Sequence, residues 1–498
     1  MPEPVLVIYT GGTIGSAPRD PDPDSPQVVV PWETLHEKTP EIDRLGFPVD
    51  CISTPEPLDS CNIGPVEWAF MARTIEENYD KYSGFVILHG TDTMVYTASA
   101  LSFMLHNLGK PVVLTGAQRS ALVDVRNDAT QNFITSVLIA NPEASRIPVI
   151  PEVVIFFGGK VLRGNRTIKR DTTGYDAYES PNLAPLGEVG DQLQINKTLI
   201  RPIPQGRFFA RTKLDTNVLP VLIYPGVQET DMVKRQLEDP NLRAAIVLSF
   251  GSGNIPTKVE FLDTFREARA RNIVIANVGQ CDRGPVELGI YETSAELLEA
   301  GFVAANDITL EAAQCKLMVA LGDPNLNDPD MTPEQRQEAI ERNFEAAVAG
   351  EQTISVHRTT YEDKGGEIDT NEGTPGRGRI RGVPVLGKWT QDGLQRVLLR
   401  LRRSSVTSDD GKAVTFRVFL NLDPDATPNN SDPGFAGKFT KYPSESESVV
   451  VFDVTPAFRA TSINSGDRVS ATIVIDSTGG GISWQASELA VFATEATS

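Results

Sequence analysis

Short, continuous apolar runs most constrain the fold of this chain. Val5–Tyr9, Phe85–Leu88 and Val153–Phe157 carry no polar–apolar alternation. Runs of this kind are typical of strands buried on both faces of a parallel sheet. Segments with helical periodicity lie between such runs, for example residues 94–107 and 127–139. This alternation predicts an α/β domain with a mostly parallel, doubly wound sheet.

The turns that follow these strands carry the polar residues of interest. They are Thr10-Gly-Gly-Thr13-Ile-Gly15, Asp59-Ser60, His89-Gly-Thr-Asp-Thr-Met94 and Thr115-Gly-Ala-Gln-Arg119. Because the carboxyl ends of parallel strands meet at one edge of a sheet, we expect these turns to line one crevice. Thr91 or Asp92 could instead simply cap the following helix, since both residue types accept hydrogen bonds from first-turn amides.

The residues of the crevice favour acyl transfer over redox chemistry. Hydroxyls come from two threonine clusters, Asp92 is the acid, and Lys169 lies in a later loop. A threonine hydroxyl needs a partner to take its proton, and a lysine can serve. No G-x-G-x-x-G spacing follows the first strand, so a dinucleotide site is not indicated.

Composition excludes several classes of partner. The formal charge of −20 disfavours nucleic acid and anionic membranes. The four cysteines and four histidines show no metal-ligand spacing, so neither a metal site nor a disulfide framework is indicated. The first residues lack a cleavable apolar stretch, which favours a cytoplasmic location.

The length of 498 residues suggests about three domains at roughly 150 residues each. The predicted division is an N-terminal α/β domain (1–195), a connector (196–214), a second α/β domain (215–350), a linker (351–388) and an all-β sandwich (389–498). Glycine and charge mark the linker, and alternating strands separated by Asp, Pro, Asn and Gly turns mark the sandwich. In the second domain, Thr332 is the predicted N-cap of a helix that begins at Pro333.

Two motifs in order resemble the bacterial (type I/II) L-asparaginase family over about residues 4–350. They are T-G-G-T-I-G (10–15) and H-G-T-D-T-M (89–94), with R-T-I-K (166–169) after them. The resemblance implies two α/β domains, the larger one first. It also implies hydrolysis of L-asparagine to L-aspartate and ammonia without a cofactor.

The same resemblance implies roles for individual residues. Thr13 would be the nucleophile, and Thr91, Asp92 and Lys169 would form a second, proton-handling triad. A turn in the second domain, Ser249-Phe-Gly-Ser-Gly-Asn254, would help to complete the site of a neighbouring subunit in a homodimer or homotetramer. The residues implied to contact substrate are Gly12, Asp59, Ser60, Gly90, Ala117 and Asn254.

Three departures from the family pattern stand out. Residues 16–31, a proline-rich loop interpreted as a lid, contain no tyrosine to activate Thr13, although Tyr9 or a residue from elsewhere could substitute. Leu248 replaces an arginine that some type I members use in an allosteric asparagine site, so we expect that site to be absent or altered. Residues 390–495 resemble the β domain appended to tyrosinases and polyphenol oxidases, without histidines for copper.

Other functions remain open at the level of sequence. A glutaminase or the amidase subunit of a tRNA-dependent amidotransferase would use the same chemistry, although the absence of a basic stripe argues against tRNA docking. A catalytically silent amino-acid-binding module is an alternative of a different class. The β-sandwich could cap the crevice, but an independent stabilising module is favoured, since likeness of fold does not carry function.

Overall fold

The computed structural model describes residues 2–20, 25–123, 125–288, 292–361, 366–370, 376–443, 448–476 and 479–495. Residues 21–24 of the predicted lid, and 362–365 and 371–375 of the predicted linker, lie outside the described residues. No helix in the described ranges is both long and apolar enough to cross a bilayer.

The first unit is built on one large sheet with helices on both faces. Its strands are β1 (Val5–Gly11), β2 (Ser16–Pro18), β3 (Gln27–Val29), β4 (Val49–Leu58), β5 (Gly84–Leu88), β6 (Leu105–His106), β7 (Val112–Thr115), β8 (Val153–Phe157), β9 (Lys160–Arg163), β10 (Ile168–Lys169), β11 (Tyr178–Glu179), β12 (Gly187–Val189), β13 (Leu193–Ile195) and β14 (Phe209–Ala210). Its helices are α1 (Trp32–Glu37), α2 (Pro65–Asn78), α3 (Met94–Met104), α4 (Ala129–Ala140) and α5 (Pro142–Ser145).

The sheet has the order β13-β12-β9-β8-β7-β5-β1-β4 and is mixed. Strands β4, β1, β5, β7 and β8 are parallel to one another. Beyond β8 the direction alternates, because β9 is antiparallel to β8, β12 to β9 and β13 to β12. The expectation of a mostly parallel, doubly wound sheet is therefore correct only for the central strands. The direction reverses because Gly158 and Gly159, both at positive φ, close a two-residue hairpin between β8 and β9.

Alternate residues of β1 face opposite layers. Leu6 and Ile8 pack in one core with Leu101 of α3, whereas Val5 and Val7 pack in another with helix α4. All residues of β1 are buried, as are all those of β5. The continuous apolar runs are thus strands covered on both faces, as their sequence predicts.

The second unit carries a four-stranded parallel sheet in the order β15-β16-β17-β18. The hydroxyl of Thr332 accepts a hydrogen bond from Gln335 N at 3.3 Å, which confirms the predicted cap. The strands are β15 (Val218–Leu222), β16 (Ala244–Ser249), β17 (Val274–Gly279) and β18 (Val303–Ala304), and the helices are α6 (Met232–Leu237), α7 (Val259–Ala270), α8 (Glu292–Glu299), α9 (Leu310–Gly322) and α10 (Pro333–Glu345).

The remaining residues form an antiparallel β region with one apolar core. One sheet has the order β19-β28-β22-β27-β20, with β25 also paired to β22, and the other has the order β21-β26-β23-β24. The elements are β19 (Ile354–Tyr361), β20 (Gly366–Asp369), β21 (Gly376–Pro384), β22 (Trp389–Ser408), β23 (Val414–Leu420), β24 (Phe435–Lys441), β25 (Ser448–Asp453), α11 (Thr455–Ala460), β26 (Arg468–Ile475), β27 (Gly480–Trp484) and β28 (Ala486–Glu495).

Three strands, β19 to β21, stand where the sequence predicts a linker. The core residues Ile368 and Ile380 come from this segment and pack with residues of both sheets. Its glycines also have a packing reason, because a Cβ atom at Gly366 would lie 2.2 Å from the Trp484 ring and one at Gly378 would lie 2.5 Å from Ile368. Glycine here allows close packing and does not mark a flexible connection.

The β region is joined to the second unit by apolar packing and by buried charge. Val356, Leu398, Ala490 and Phe492 belong to the core of the second unit. Beside them lies a group of four acids and four arginines, hereafter the interface charge cluster, contributed by α7, α10, β19, β22 and β28. Its members are Arg269, Glu338, Glu341, Glu345, Arg358, Arg400, Arg402 and Glu488.

Candidate active site

The turns after β4, β1, β5 and β7 lie side by side, because these four strands are parallel neighbours in the sheet. The turns after β1 and β5 touch through glycine. A Cβ atom at Gly12 would lie 2.4 Å from the Gly90 amide nitrogen, and Gly12 has a φ of +85°. Only glycine permits this approach and this backbone angle together. The structure therefore brings Thr13 and Thr91, the residues that follow these glycines, to adjacent turns.

Thr13 begins a single 3₁₀ turn, Thr13–Gly15, that is closed by a hydrogen bond from Gly15 N to the Gly12 carbonyl at 3.1 Å. Its side chain is exposed, and its hydroxyl has no hydrogen-bond partner among the described residues. The hydroxyl is thus accessible from the crevice.

Thr91, Asp92 and Lys169 form one connected group. Lys169 Nζ donates to Thr91 Oγ1 at 2.9 Å and to Asp92 Oδ1 at 2.7 Å. The Thr91 and Lys169 side chains are largely buried, whereas that of Asp92 is 64% exposed. A carboxylate with this exposure can still meet a ligand while it holds the lysine.

Tyr178 supports this group, although no sequence motif points to it. It pairs with Lys169 across the β10–β11 ladder, and its hydroxyl donates to the Thr91 carbonyl. Burial raises the pKa of the Tyr178 phenol, and the nearby Asp92 charge raises it further. The phenol therefore stays protonated and acts as a fixed donor that orients the Thr91 backbone.

His89 fixes the other side of the turn. Trp68 Nε1 donates to Thr97 Oγ1 at 3.0 Å, and Thr97 Oγ1 lies 2.9 Å from His89 Nε2. The Gly90 carbonyl can only accept, so His89 Nδ1 carries a proton and donates to it at 2.7 Å. In the neutral ring, Nε2 then accepts from the Thr97 hydroxyl. Burial lowers the pKa of His89 to about 4, so the ring is neutral and structural.

Ser60 and Asp59 close the crevice from the turn after β4. Ser60 Oγ accepts from the Asp92 amide at 3.3 Å, and the Ser60 carbonyl accepts from Thr93 Oγ1 at 2.6 Å. Asp59 is exposed, and its carboxylate accepts from Cys61 N. Helix α3 has Thr93 as N-cap, without a side-chain cap bond. The interpretation of Thr91 or Asp92 as a helix cap is therefore wrong, since Lys169 holds both side chains.

Ala117 is buried at the end of β7. A Cβ atom at the preceding residue, Gly116, would lie 2.3 Å from the His89 carbonyl. The turn after β7 therefore packs directly against the turn after β5, and Ala117 lies beside the Gly90 turn.

The described part of the predicted lid is a β2–β3 hairpin, tied down by Tyr9. The Tyr9 hydroxyl donates to the Val30 carbonyl at 2.8 Å, and burial raises its pKa. A phenol that keeps its proton and donates it to a carbonyl is poorly suited to activate Thr13. Tyr9 instead anchors the hairpin, which disfavours the suggestion that it replaces a lid tyrosine.

Arg166, three residues before Lys169, points away from the chemistry. Its guanidinium makes two parallel hydrogen bonds of 2.9 Å to Asp307 and a third to the Glu351 carbonyl. It thereby joins the strand that carries Lys169 to the second unit.

Asn254 lies in the second unit, in the turn after β16. The turn is closed by reciprocal backbone hydrogen bonds of 2.8 and 2.9 Å between Phe250 and Asn254. Asn277, from the neighbouring strand β17, supports it by donating to the Gly253 carbonyl. The asparagine is therefore presented by an ordered turn at the carboxyl edge of the second sheet.

Within the described ranges, no group of three or more histidine, cysteine or acidic side chains is arranged to hold a metal ion. Lys169 brings a positive charge to the crevice, and Asp59 and Asp92 bring exposed carboxylates. This arrangement suits a small zwitterionic molecule, because the crevice offers charged groups of both signs.

Comparison with known proteins identifies the family. Residues 4–201 match the family model "Asparaginase, N-terminal" and residues 217–334 match "Glutaminase/Asparaginase C-terminal domain". L-asparaginase 1 of Escherichia coli (strain K12) is 40% identical over 318 residues, which cover 63% of this chain and 90% of that protein. Both family models end before β19.

Two solved structures share the fold. The L-asparaginase I of Vibrio cholerae is 34% identical, with a TM-score of 0.62 over 71% of this chain and 100% of the other. The thermostable L-asparaginase of Thermococcus kodakarensis is 30% identical, with a TM-score of 0.61 over 70% of this chain and 99% of the other. Both family models match, and the turns after β4, β1, β5 and β7 lie side by side at one edge of the sheet. The chain therefore belongs to the asparaginase family.

Proposed function

We propose that this chain hydrolyses the side-chain amide of L-asparagine to L-aspartate and ammonia, with Thr13 as the nucleophile. The observation that carries the proposal is the contact of Lys169 Nζ with both Thr91 and Asp92, beside the turn that exposes Thr13. Membership of the asparaginase family supports an amidohydrolase that acts on asparagine.

The reaction divides into two half-reactions. Thr13 Oγ forms a bond to the amide carbon and passes its proton to the Thr91 hydroxyl, which gives its own proton to the amide nitrogen. The carbonyl oxygen becomes an oxyanion that backbone N–H groups at Gly12 and Thr91 stabilise. The carbon–nitrogen bond then breaks, the nitrogen leaves with one added proton as ammonia, and an ester on Thr13 remains. Water attacks this ester, and L-aspartate leaves as Thr13 regains its proton.

Thr91 is suited to move the proton. A hydroxyl has one donor and two acceptor positions, and Lys169 occupies one acceptor position. The Thr91 O–H is therefore free to donate to the leaving nitrogen or to receive a proton from the attacking water. The charge on Lys169 lowers the free energy of the alkoxide that forms transiently, because the pair is shielded from water.

The ends of the substrate are assigned by charge. Asp92 binds the α-ammonium, while Asp59 and Ser60 line the α-carboxylate end, where Ser60 donates its hydroxyl. The backbone at Gly12, Gly90 and Ala117 lines the path between the two ends. Selectivity against glutamine then depends on the length of the crevice, since one methylene changes a free energy of binding by about 1–3 kcal/mol.

The assembly and the β region belong to the same proposal. A homodimer or homotetramer would place the Asn254 turn against the crevice of a neighbouring copy, and its position at a sheet edge supports this. We assign the β region to the group of β domains that accompany tyrosinases. Its two antiparallel sheets with a common core support this assignment.

Ammonia release from L-asparagine, L-glutamine and short β-aspartyl compounds tests the proposal. We expect a kcat/KM for asparagine at least tenfold above that for glutamine. Thr13→Ala and Thr91→Val are each expected to remove at least 99% of kcat while aspartate binding persists. Equal kcat/KM for the two amides would refute the asparaginase assignment, and an active Thr13→Ala variant would refute the nucleophile.

A further inference from the structure

The segment 282–288 connects the β region to both halves of the proposed site. At one end it contacts the residues that follow Lys169, and at the other it contacts the β region. Between these points it packs behind the turn that carries Asn254. The contacts of the segment are exposed at one end and buried at the other. Buried contacts hold a segment more firmly than exposed ion pairs do.

The exposed end of the segment lies against the strand pair of Lys169. Asp282 forms an ion pair with Arg170, and its carbonyl accepts from Asn182 Nδ2 at 3.0 Å. Arg283 pairs with Glu179, the residue after Tyr178. These side chains are 36–73% exposed, and exposed ion pairs of this kind contribute little to stability. These ion pairs therefore do not determine the position of the segment.

The middle of the segment supports the Asn254 turn. Glu287 N donates to the Ser252 carbonyl at 2.9 Å. The space beside Gly253 is filled by Val286 and Leu288, since a Cβ atom there would lie 2.8 Å from Val286 Cγ1 and 3.4 Å from Leu288 Cδ2. A shift of the segment would therefore move the backbone that presents Asn254.

The buried end is held within the second unit, where Val286 N donates to the Asn306 carbonyl at 2.7 Å, and from the β region as well. Val286 and Leu288 are almost fully buried in the core that the second unit shares with β19, β22 and β28. Arg396 of β22 donates from Nη1 to the Leu288 carbonyl, while its Nε donates to Asp453 of β25 at 2.9 Å. Asp453 thus orients a guanidinium whose other arm holds the backbone of the segment.

We propose that Arg396 is a positioning residue for asparagine hydrolysis, and that it acts by fixing segment 282–288 behind the Asn254 turn and beside the Lys169 strand pair. The β region is then part of the working enzyme and not only an appended module. The inference rests on the proposed function for its catalytic consequence, but the fixed position of the segment is measurable without activity.

Arg417 provides a matched control within the same β region. Like Arg396, it donates to a carboxylate, Asp476 at 2.8 and 2.9 Å, and to a backbone carbonyl, that of Pro428, and it also donates to Asn430 Oδ1 at 3.2 Å. It differs in that these partners all lie within the β region. Loss of Arg417 therefore perturbs the β region to a similar degree without touching segment 282–288.

The test compares the full-length wild type with Arg396→Gln, Arg396→Lys and Arg417→Gln. We expect hydrogen exchange at the Val286 and Glu287 amides to be at least tenfold faster in Arg396→Gln, with exchange in the first unit unchanged. We also expect its KM for asparagine to rise at least fivefold. In Arg396→Lys we expect at least half of the change in log KM to be recovered, because lysine keeps the positive charge and its N–H donors.

The outcomes separate positioning from general loss of structure. A purely structural role would reduce the folded fraction, and hence the apparent kcat, while KM stayed constant. Unchanged exchange or unchanged KM in Arg396→Gln would overturn the inference, as would equal effects in Arg417→Gln. An inactive wild type would instead overturn the proposed function, and the exchange data would then show separately whether Arg396 holds the segment.

Discussion

Replacing Glu488 by glutamine removes the anion that three arginines of the β region share. Glu488 is fully buried on β28, and its carboxylate oxygens lie 2.8 Å from Arg402, 3.1 Å from Arg358 and 3.5 Å from Arg400. Glutamine has nearly the same volume and keeps an acceptor oxygen. The substitution therefore tests charge while packing stays constant.

The size of the effect follows from the charge balance. The interface charge cluster holds four acids and four arginines, so the variant leaves one uncompensated positive charge in a buried interface. Removing one partner from a buried ion pair costs about 3–5 kcal/mol. At about 2–4 °C per kcal/mol for a domain of 150–250 residues, the melting temperature of the β region should fall by roughly 6–20 °C.

The effect should also depend on pH. Burial alone would raise the pKa of Glu488, but the charges of Arg358, Arg402 and Arg400 outweigh it and hold the pKa well below its usual value of 4.5. A carboxyl with a depressed folded-state pKa stabilises above the unfolded-state pKa, and this stabilisation is lost as the pH falls. The difference between wild type and variant should be constant at pH 6–8 and shrink below about pH 4.5.

Urea unfolding followed by tryptophan fluorescence is a suitable assay, because Trp389 and Trp484 are both buried in the β region. Asp410→Asn, which alters an exposed pair with Lys412, serves as the control and should leave the urea midpoint unchanged. Restoring neutrality with Glu488→Gln/Arg358→Gln should recover part of the loss. A Glu488→Gln protein with the wild-type midpoint at pH 7 would refute the electrostatic reasoning.

Three further predictions concern the crevice. Lys169→Met should lower kcat about 10²–10⁴-fold, as expected for loss of proton transfer, whereas Lys160→Met, which breaks a surface pair with Asp176, should leave kcat unchanged in the same ammonia-release assay. Gly12→Ala should lower kcat/KM about 100-fold by separating the Thr13 and Thr91 turns, and Gly226→Ala, also at positive φ but with open space around it, should retain wild-type kinetics. His89 has its pKa lowered to about 4 by burial, so the free energy of unfolding should decrease as the pH falls from about 6.5 to 4. His89→Gln should reduce that slope in denaturant titrations, and an unchanged slope would contradict the assignment.

The central strands and the crevice could be predicted because their signals are local. Continuous apolar runs such as Val5–Tyr9 and Phe85–Leu88 identify buried strands, and the rule that parallel strands end at one edge then brings the turns after them together. The contact of Gly12 with Gly90 refines this picture but does not alter it.

Residues that depend on pairing between distant segments could not be predicted. Tyr178 reaches Thr91 only because β10 and β11 form a two-residue ladder, and strands of that length leave no periodic signal. The antiparallel strands β9, β12 and β13 were also too short to be recognised from periodicity. In short strands, tertiary contacts decide the structure.

The strands in the predicted linker were hidden for a different reason. Glycine and arginine over residues 376–382 indicate a flexible connection when read alone, yet the glycines make room for neighbouring side chains. Arginines such as Arg400 and Arg402 are ordinarily surface residues. Here they are buried because acids of α10 pair with them. A signal was present in the alternation of leucine and arginine over residues 399–402, which is typical of a strand with two different faces.

The pairing of the first and last strands of the β region sets an order of events during synthesis. Arg358 leaves the ribosome 130 residues (488 − 358) before Glu488, an interval of about 7–26 s at 5–20 residues per second. The two α/β units can fold in that time, but the arginines of β19 and β22 must wait for β28 to bring their common anion. A chain released early would carry surplus positive charge at an unfinished interface. The charge of these arginines is therefore balanced only after β28 has been synthesised and has paired with β19 and β22.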